Sequence, residues 1–239
     1  MTGEQWNLLS NIIHTYDAAN SLQGLKTLFN LEPSVPIKMR VKTTFMRDYT
    51  QQCLATVDPI IKQSPHFQSL SPDARRTSIT RNICWLSFIQ SVLLSFQVDF
   101  LKDPRLTLSL IGTYGLDVFE KAIHIYQGID QNETIQKLMF FVSTFYSNSS
   151  TVTFDSSSYI SSTTASIDLV RVQDIYVTVL WKYLLYQYGF AGAVHHVSAL
   201  MRTMLDSFWL LDRLDASELY EEAIIVTTKE MENSLVIHD

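Results

Sequence analysis

Along most of this chain apolar side chains recur every three or four residues, the period of an α-helix with one buried face. Trp6, Leu9, Ile12, Ile13 and Tyr16 set this stripe between Gln5 and Asn20, predicting an amphipathic first helix. From Leu22 to Pro36 the pattern lapses. Asn30, Pro33 and Pro36 mark a loop there, because proline lacks an N–H and pushes its predecessor out of the α region. Val41, Phe45, Met46, Tyr49, Cys53 and Val57 predict a longer helix running to about Lys62, with Pro59 kinking it or ending it early.

Ser71-Pro72-Asp73 reads as the next helix start, with proline in the first turn and an acid at the positive end of the helix dipole. From Ile79 to Phe96 the apolar residues surround the axis, so this helix must be covered on several sides. Val98 to Gly115 mixes Asp103-Pro104 and two glycines with β-favouring residues, which predicts a loop or a minor short β-hairpin. Amphipathic helices follow over Leu116–Gln127 and Asn132–Tyr146. Ser147 to Ser166 holds 13 Ser or Thr in 20 residues and has little to bury, as a mobile insertion or linker would. Ile175, Val179, Leu180, Tyr183 and Leu184 carry a helix over Asp168–Tyr188, with Gly189 as its C-cap, and Gly192 opens another running to about Leu214. Short helical segments end the chain. The pattern predicts an all-α fold, with residues 1–239 forming one domain.

Composition agrees: 46% of residues are apolar and 18% charged, enough for a thick core. The formal charge of −6 argues against direct nucleic-acid binding, which draws its affinity from Lys and Arg displacing counterions. Cys53 and Cys84 are too few for a disulfide framework and lack zinc-site spacing. The N-terminal residues lack the pattern of a secretory signal, so the expected setting is inside the cell, where Asn132-Glu133-Thr134 and Asn148-Ser149-Ser150 have no glycosylation role. The uncharged stretch Asn82–Val98 approaches the shortest membrane span, of about 17 residues. Five Ser and Gln residues dilute it, so a buried core helix with no membrane partner is the expectation.

Catalytic signatures are missing: there is no phosphate-binding glycine loop, no His-Glu-x-x-His and no Gly-x-Ser-x-Gly. The chain is therefore expected not to be an enzyme and to need no cofactor or metal. His195 and His196 are helical neighbours about 100° apart, unlike the one-faced pairs that bind metals. Glu218, Glu221 and Glu222 read as a solvated face.

One region carries a more particular likeness. Lys62 is followed by Pro65, Phe67 and Leu70 with Pro-x-Phe-x-x-Leu spacing, then by Asp73 and the continuous apolar helix to Phe96. This resembles the signature of nuclear-receptor ligand-binding domains, and the order of elements is similar over nearly the whole chain. Two departures lie inside it. Arg75 stands where the family usually has Gln, and Ser78-Ile79-Thr80 replaces Leu-Leu-Lys/Arg, with Arg81 a position late.

The resemblance implies a three-layer antiparallel α-helical sandwich with an apolar pocket beneath its middle helix. By register it assigns ligand contacts to Met46, Tyr49, Thr50, Cys53, Ser87, Gln90, Ser91 and Leu94, each of which reads equally as plain core. Gln90 occupies the position where many members hold a ligand carboxylate with arginine, so a neutral lipid-like or steroid-like ligand is implied, since a buried carboxylate without a cation is costly. The resemblance also implies coactivator or corepressor helices held between a lysine, here Lys62, and a glutamate on the last helix. Glu222, within LYEEAI, is the preferred match; reading without a gap puts Thr227 there instead. It further implies nuclear localisation with shuttling to the cytoplasm, and homo- or heterodimers formed through the penultimate helix, where Val197, Met201, Met204 and Trp209 offer more apolar surface than one face needs.

The expected function is thus the ligand-binding and coregulator-recruiting domain of a transcription factor. The eight cysteines of the family's DNA-binding modules do not lie within this chain. The alternative is an all-α protein-interaction adaptor with a filled, orphan-like core and no small-molecule ligand. Polar groups at Thr50, Ser87, Gln90 and Ser91 discriminate between the two, because they suit a pocket that orients a ligand.

Overall fold

The computed structural model describes residues 1–20, 43–97, 104–146, 163–215 and 218–236, with backbone alone for 43–46, 105–106, 163–164, 215, 218–220 and 236. The expected loop at Leu22–Pro36 lies outside the described residues, as does the Ser/Thr-rich insertion except for 163–166, which are helical.

Among the described residues all regular structure is helical. We number the helices α1 (Gly3–Ala19), α2 (Thr43–Lys62), α3 (Pro65–Gln68), α4 (Pro72–Gln97), α5 (Pro104–Tyr114), α6 (Leu116–Gly128), α7 (Glu133–Thr144), α8 (Thr163–Asp215) and α9 (Glu218–Val236).

Local chemistry sets several boundaries. Thr2 and Gln5 form a reciprocal capping box at the start of α1. Asn132 Oδ1 accepts from the N–H groups of Thr134 and Ile135 to start α7. In α2, Pro59 sits within the last turn and the helix ends at Lys62, close to the expected stop. Ser71 Oγ accepts from the Ala74 N–H, and Pro72 follows as the first residue of α4.

The region expected to hold a hairpin is a correction. Residues 98–103 lie outside the described residues, but Pro104–Tyr114 is helix, not strand. Proline at the first helical position presets φ for that turn, and packing against α2 and α6 overrides the β preference of Thr107, Ile111 and Thr113. Gly115 ends α5 at φ 94°, a left-handed conformation that costs glycine little.

The all-round apolar helix α4 packs against α2, α7, α8 and α9. Ile79, Ile83, Leu86, Leu93 and Leu94 are nearly inaccessible, as expected for a helix covered on several sides. In α1 the inward stripe is Leu9, Ile12, Tyr16 and Ala19, while Trp6 sits at the edge, its ring T-shaped against Tyr186. The first half of α8 turns Leu169, Val172, Tyr176, Val179, Leu180 and Leu184 inward. Ile175, expected on that stripe, is exposed. The two helices expected around Gly189 are both present, running end to end within α8 and parted at Gly189, whose φ 66°, ψ −178° is non-helical.

Candidate ligand cavity and the seat of the terminal helix

The signature turn is tied down from both sides. Ser64 caps α3, and Phe67 and Leu70 are buried beneath it. Tyr176 of α8 places its hydroxyl 2.9 Å from His66 Nδ1 and 3.2 Å from Ser64 Oγ. Burial pushes the Tyr176 hydroxyl up to about 12 and lowers the His66 pKa. Of the departures from the family pattern, Arg75 uses its Nε to donate to the Leu70 carbonyl at 3.1 Å, closing the turn.

Between α2, α4, α5, α6 and α8 lies a cavity of about 110 Å³. Tyr49, Thr50 and Cys53 of α2 form one wall, and Ser87, Ser91 and Ser95 of α4, spaced one helical turn apart, form another. Leu110 and Tyr114 of α5, Leu210 and Leu214 of α8, and Val118, Ala122, Ile123 and Tyr126 of α6 complete the lining, which is part open. No lining residue carries a formal charge.

Five sequence-assigned residues, Tyr49, Thr50, Cys53, Ser87 and Ser91, therefore border one space. Three assigned positions stand apart. The Met46 side chain lies outside the described residues. Leu94 is fully buried but does not line the cavity. Gln90 faces elsewhere: its Oε1 accepts from the Tyr16 hydroxyl at 2.8 Å, and its Nε2 donates to Asn20 Oδ1 at 3.0 Å and Thr56 Oγ1 at 2.9 Å. It joins α1, α2 and α4 as a structural polar centre.

The α5, α6 and α8 walls escaped sequence assignment. Val118, Ala122 and Tyr126 form an i, i+4, i+8 stripe that was visible in the sequence, but periodicity alone does not name the neighbour a stripe faces. Leu110 and Tyr114 were hidden by the hairpin expectation.

The polar groups of the cavity are tightly engaged. Tyr49 hydroxyl lies 2.9 Å from both the Ser91 carbonyl and Ser95 Oγ. Burial pushes the Tyr49 hydroxyl well above its ordinary range and the Cys53 thiol up to about 12, so Cys53 stays a neutral, poorly nucleophilic thiol. Tyr114 is likewise raised by burial and shares a hydrogen bond with Thr50.

Lys62 and Glu222 stand at opposite ends of the terminal helix. Lys62 Nζ contacts Asp58 Oδ2 at 2.8 Å and Ser234 Oγ near the C-terminal end of α9. Glu222, near its N-terminal end, pairs with Arg47 of α2 at 3.2 Å. Between them, α9 lies against α2 and α4 and buries Ala223, Ile224, Met231 and Leu235. Glu232 adds contacts to Thr80 at 3.2 Å and Arg76 at 3.7 Å.

His196 is part-buried, its Nδ1 against Asp130 Oδ2 and its ring stacked 4.0 Å from Tyr188, while His195 is exposed. Among the described residues no group of three or more His, Cys, Asp or Glu side chains converges as a metal site would require. Compared with known proteins, the chain matches no family model and no curated protein.

Proposed function

We propose that this chain is the ligand-binding and coregulator-recruiting domain of a nuclear receptor-type transcription factor, built as a three-layer helical sandwich with α4 in the middle. It takes a small neutral lipophilic ligand into the cavity beside α4 and acts in the nucleus through partner proteins. One observation carries the reading: five residues assigned from the resemblance, on two different helices, border a single part-open pocket whose lining is uncharged.

The position of α9 supports a switching role. It occupies the surface beside Lys62, so a coregulator helix docks there once α9 has moved, and a ligand drives that step by binding the moved state more tightly. Burial of Ala223 and Ile224, with Ile225 exposed, favours the register that makes Glu222 the glutamate of the terminal helix. Dimerisation through the second half of α8 draws support from Phe190, Met201, Leu205 and Trp209, all exposed.

One observation favours the adaptor reading. The cavity, about 110 Å³, is smaller than the roughly 300–1,000 Å³ of ordinary ligand sites, so a drug-sized ligand requires its walls to part.

Native mass spectrometry of the purified chain, compared with its denatured mass, separates the two. A lipophilic passenger, or a lipid that raises stability, lost in a Cys53→Trp variant of unchanged circular dichroism, supports the receptor. An empty protein indifferent to a lipid library, and unmoved in stability by Cys53→Trp, supports the adaptor.

A further inference from the structure

We infer that Phe88 sets the length of the ligand: it walls the cavity beside Tyr49 and Cys53 off from a second apolar pocket, so the site takes a compact neutral aliphatic molecule and gains nothing from a longer chain. This rests on the ligand-binding reading above and concerns the size of molecule that site rewards.

The second pocket, of about 50 Å³, lies between α4, α7 and α8, with Trp85 and Ile89, Met139, and Leu200 and Met204 among its lining. Among the described residues, Phe88 alone borders both spaces. They follow one another along the same helices. On α8, Met204 and Ser207 line the second pocket, and Leu210 and Leu214 line the first. On the neighbouring α6, Val118 to Tyr126 face the first, while Ile129, the residue after the helix ends, faces the second. The spaces thus adjoin along the seam of α6 and α8, and Phe88 of α4 stands where they meet.

The partition is held in place. Phe88 is almost wholly buried and stacks on Trp85 with ring centroids 5.8 Å apart, and Trp85 stacks on Phe208 at 5.0 Å. Phe208 lies between Ser207 and Leu210 in sequence, so the three rings run from α4 to α8 across the junction. Turning the Phe88 ring aside forfeits this stacking.

An apolar cavity of about 150 Å³ holds the six carbons of benzene, so the first cavity, at about 110 Å³, has room for roughly four or five. Each methylene buried adds roughly fourfold to affinity, but only while there is space to bury it. The n-alkan-1-ols from propanol to nonanol therefore gauge the site, their hydroxyl reaching water through the part-open lining. Methyl NMR of the whole chain, labelled at Ile and Met, locates them: Ile123 reports the first cavity, and Met139 and Met204 report the second.

In the unaltered chain, affinity read at Ile123 is expected to rise roughly fourfold per methylene as far as about pentanol and then level off. In Phe88→Ala the rise should continue to about octanol, with Ile123, Met139 and Met204 following one titration curve. Phe88→Leu, a milder change for the core, should move the plateau the same way by less. Leu214→Ala enlarges the first cavity alone and should leave Met139 and Met204 off the Ile123 curve.

A rise that continues past pentanol in the unaltered chain overturns the inference, because the spaces would already be one. So does a plateau that stays put in both Phe88 variants, or Met139 and Met204 joining the curve equally in Leu214→Ala. If no alcohol shifts Ile123 at millimolar concentration, the ligand-binding reading itself falls, and this inference with it.

Discussion

The Tyr16 hydroxyl donates to Gln90 Oε1 across 2.8 Å with both side chains almost wholly out of water, so α1 is latched to the C-terminal third of α4 by a buried hydrogen bond. Gln90 is satisfied on its other side by Asn20 and Thr56, which makes the glutamine the hub of a network among three helices. Removing one partner strands the other in a low-dielectric interior. Tyr16→Phe is expected to cost about 1–3 kcal/mol in urea denaturation, and Gln90→Leu a similar amount or more. The double variant should cost less than the two singles combined, because the second change removes a group already stranded. Simple additivity would show that the two side chains do not depend on each other.

The same residue shows how far the sequence could be read. The uncharged run through Gln90 announced a helix covered all round, and α4 is one, because no exposed face is left to name. The cavity wall needed a finer distinction. Gln90 and Ser91 are successive residues about 100° apart on the helix, so assigning both to the ligand was assigning two faces at once. Ser91 lines the cavity and Gln90 faces α1. Which face meets a void is decided by the neighbours, and the α6 neighbours were recorded in the sequence only as an amphipathic stripe. Pro104–Tyr114 was misread for a different reason. Its Thr, Ile and Gly residues favour strand or turn locally, and packing against α2 and α6 outweighed them.

Gly189 interrupts α8 with φ 66° and ψ −178°, a combination open to glycine and strained for other residues. No atom crowds the place where its Cβ would sit, so substitution there tests backbone strain alone. Gly189→Ala is expected to lower stability by about 1–3 kcal/mol in chemical denaturation. Gly192, a turn further on, differs in cause: a Cβ there would meet the Tyr188 Cβ at 2.6 Å, so Gly192→Ala forces an atomic clash. A neutral outcome for Gly189→Ala would mean that the kink relaxes into continuous helix.

Acid should loosen the signature turn. Desolvation lowers the His66 pKa in the fold below its ordinary 6.5, so between the two values the unfolded chain binds the proton and the folded chain does not. The stability this contributes is present above 6.5 and is lost as pH falls through the lower, folded-state value. Protonation also leaves both ring nitrogens as donors, so Nδ1 then meets the Tyr176 hydroxyl only by donating to it. Urea midpoints measured from pH 7.5 to 5.5 should decline more steeply in the unaltered chain than in His66→Asn, whose side-chain oxygen keeps an acceptor near the same place. Parallel declines would assign the acid sensitivity to other groups.

Whether α9 moves as a unit depends on which of its contacts hold it. The Arg47–Glu222 pair is substantially exposed on both sides, and such pairs contribute little once side-chain entropy and screening are counted. The apolar face holds the helix, with Met231 only 2% exposed against the packed core. Met231→Asp places a carboxylate in that contact and should release α9, whereas Arg47→Ala should leave it seated. Hydrogen exchange followed by mass spectrometry reads the difference. The aspartate variant is expected to exchange at least tenfold faster over residues 218–236 while α4 keeps its slow amides, the signature of a segment that opens on its own. Faster exchange throughout the chain would mean that α9 is an inseparable part of the core, and the proposed switch would lose its moving part.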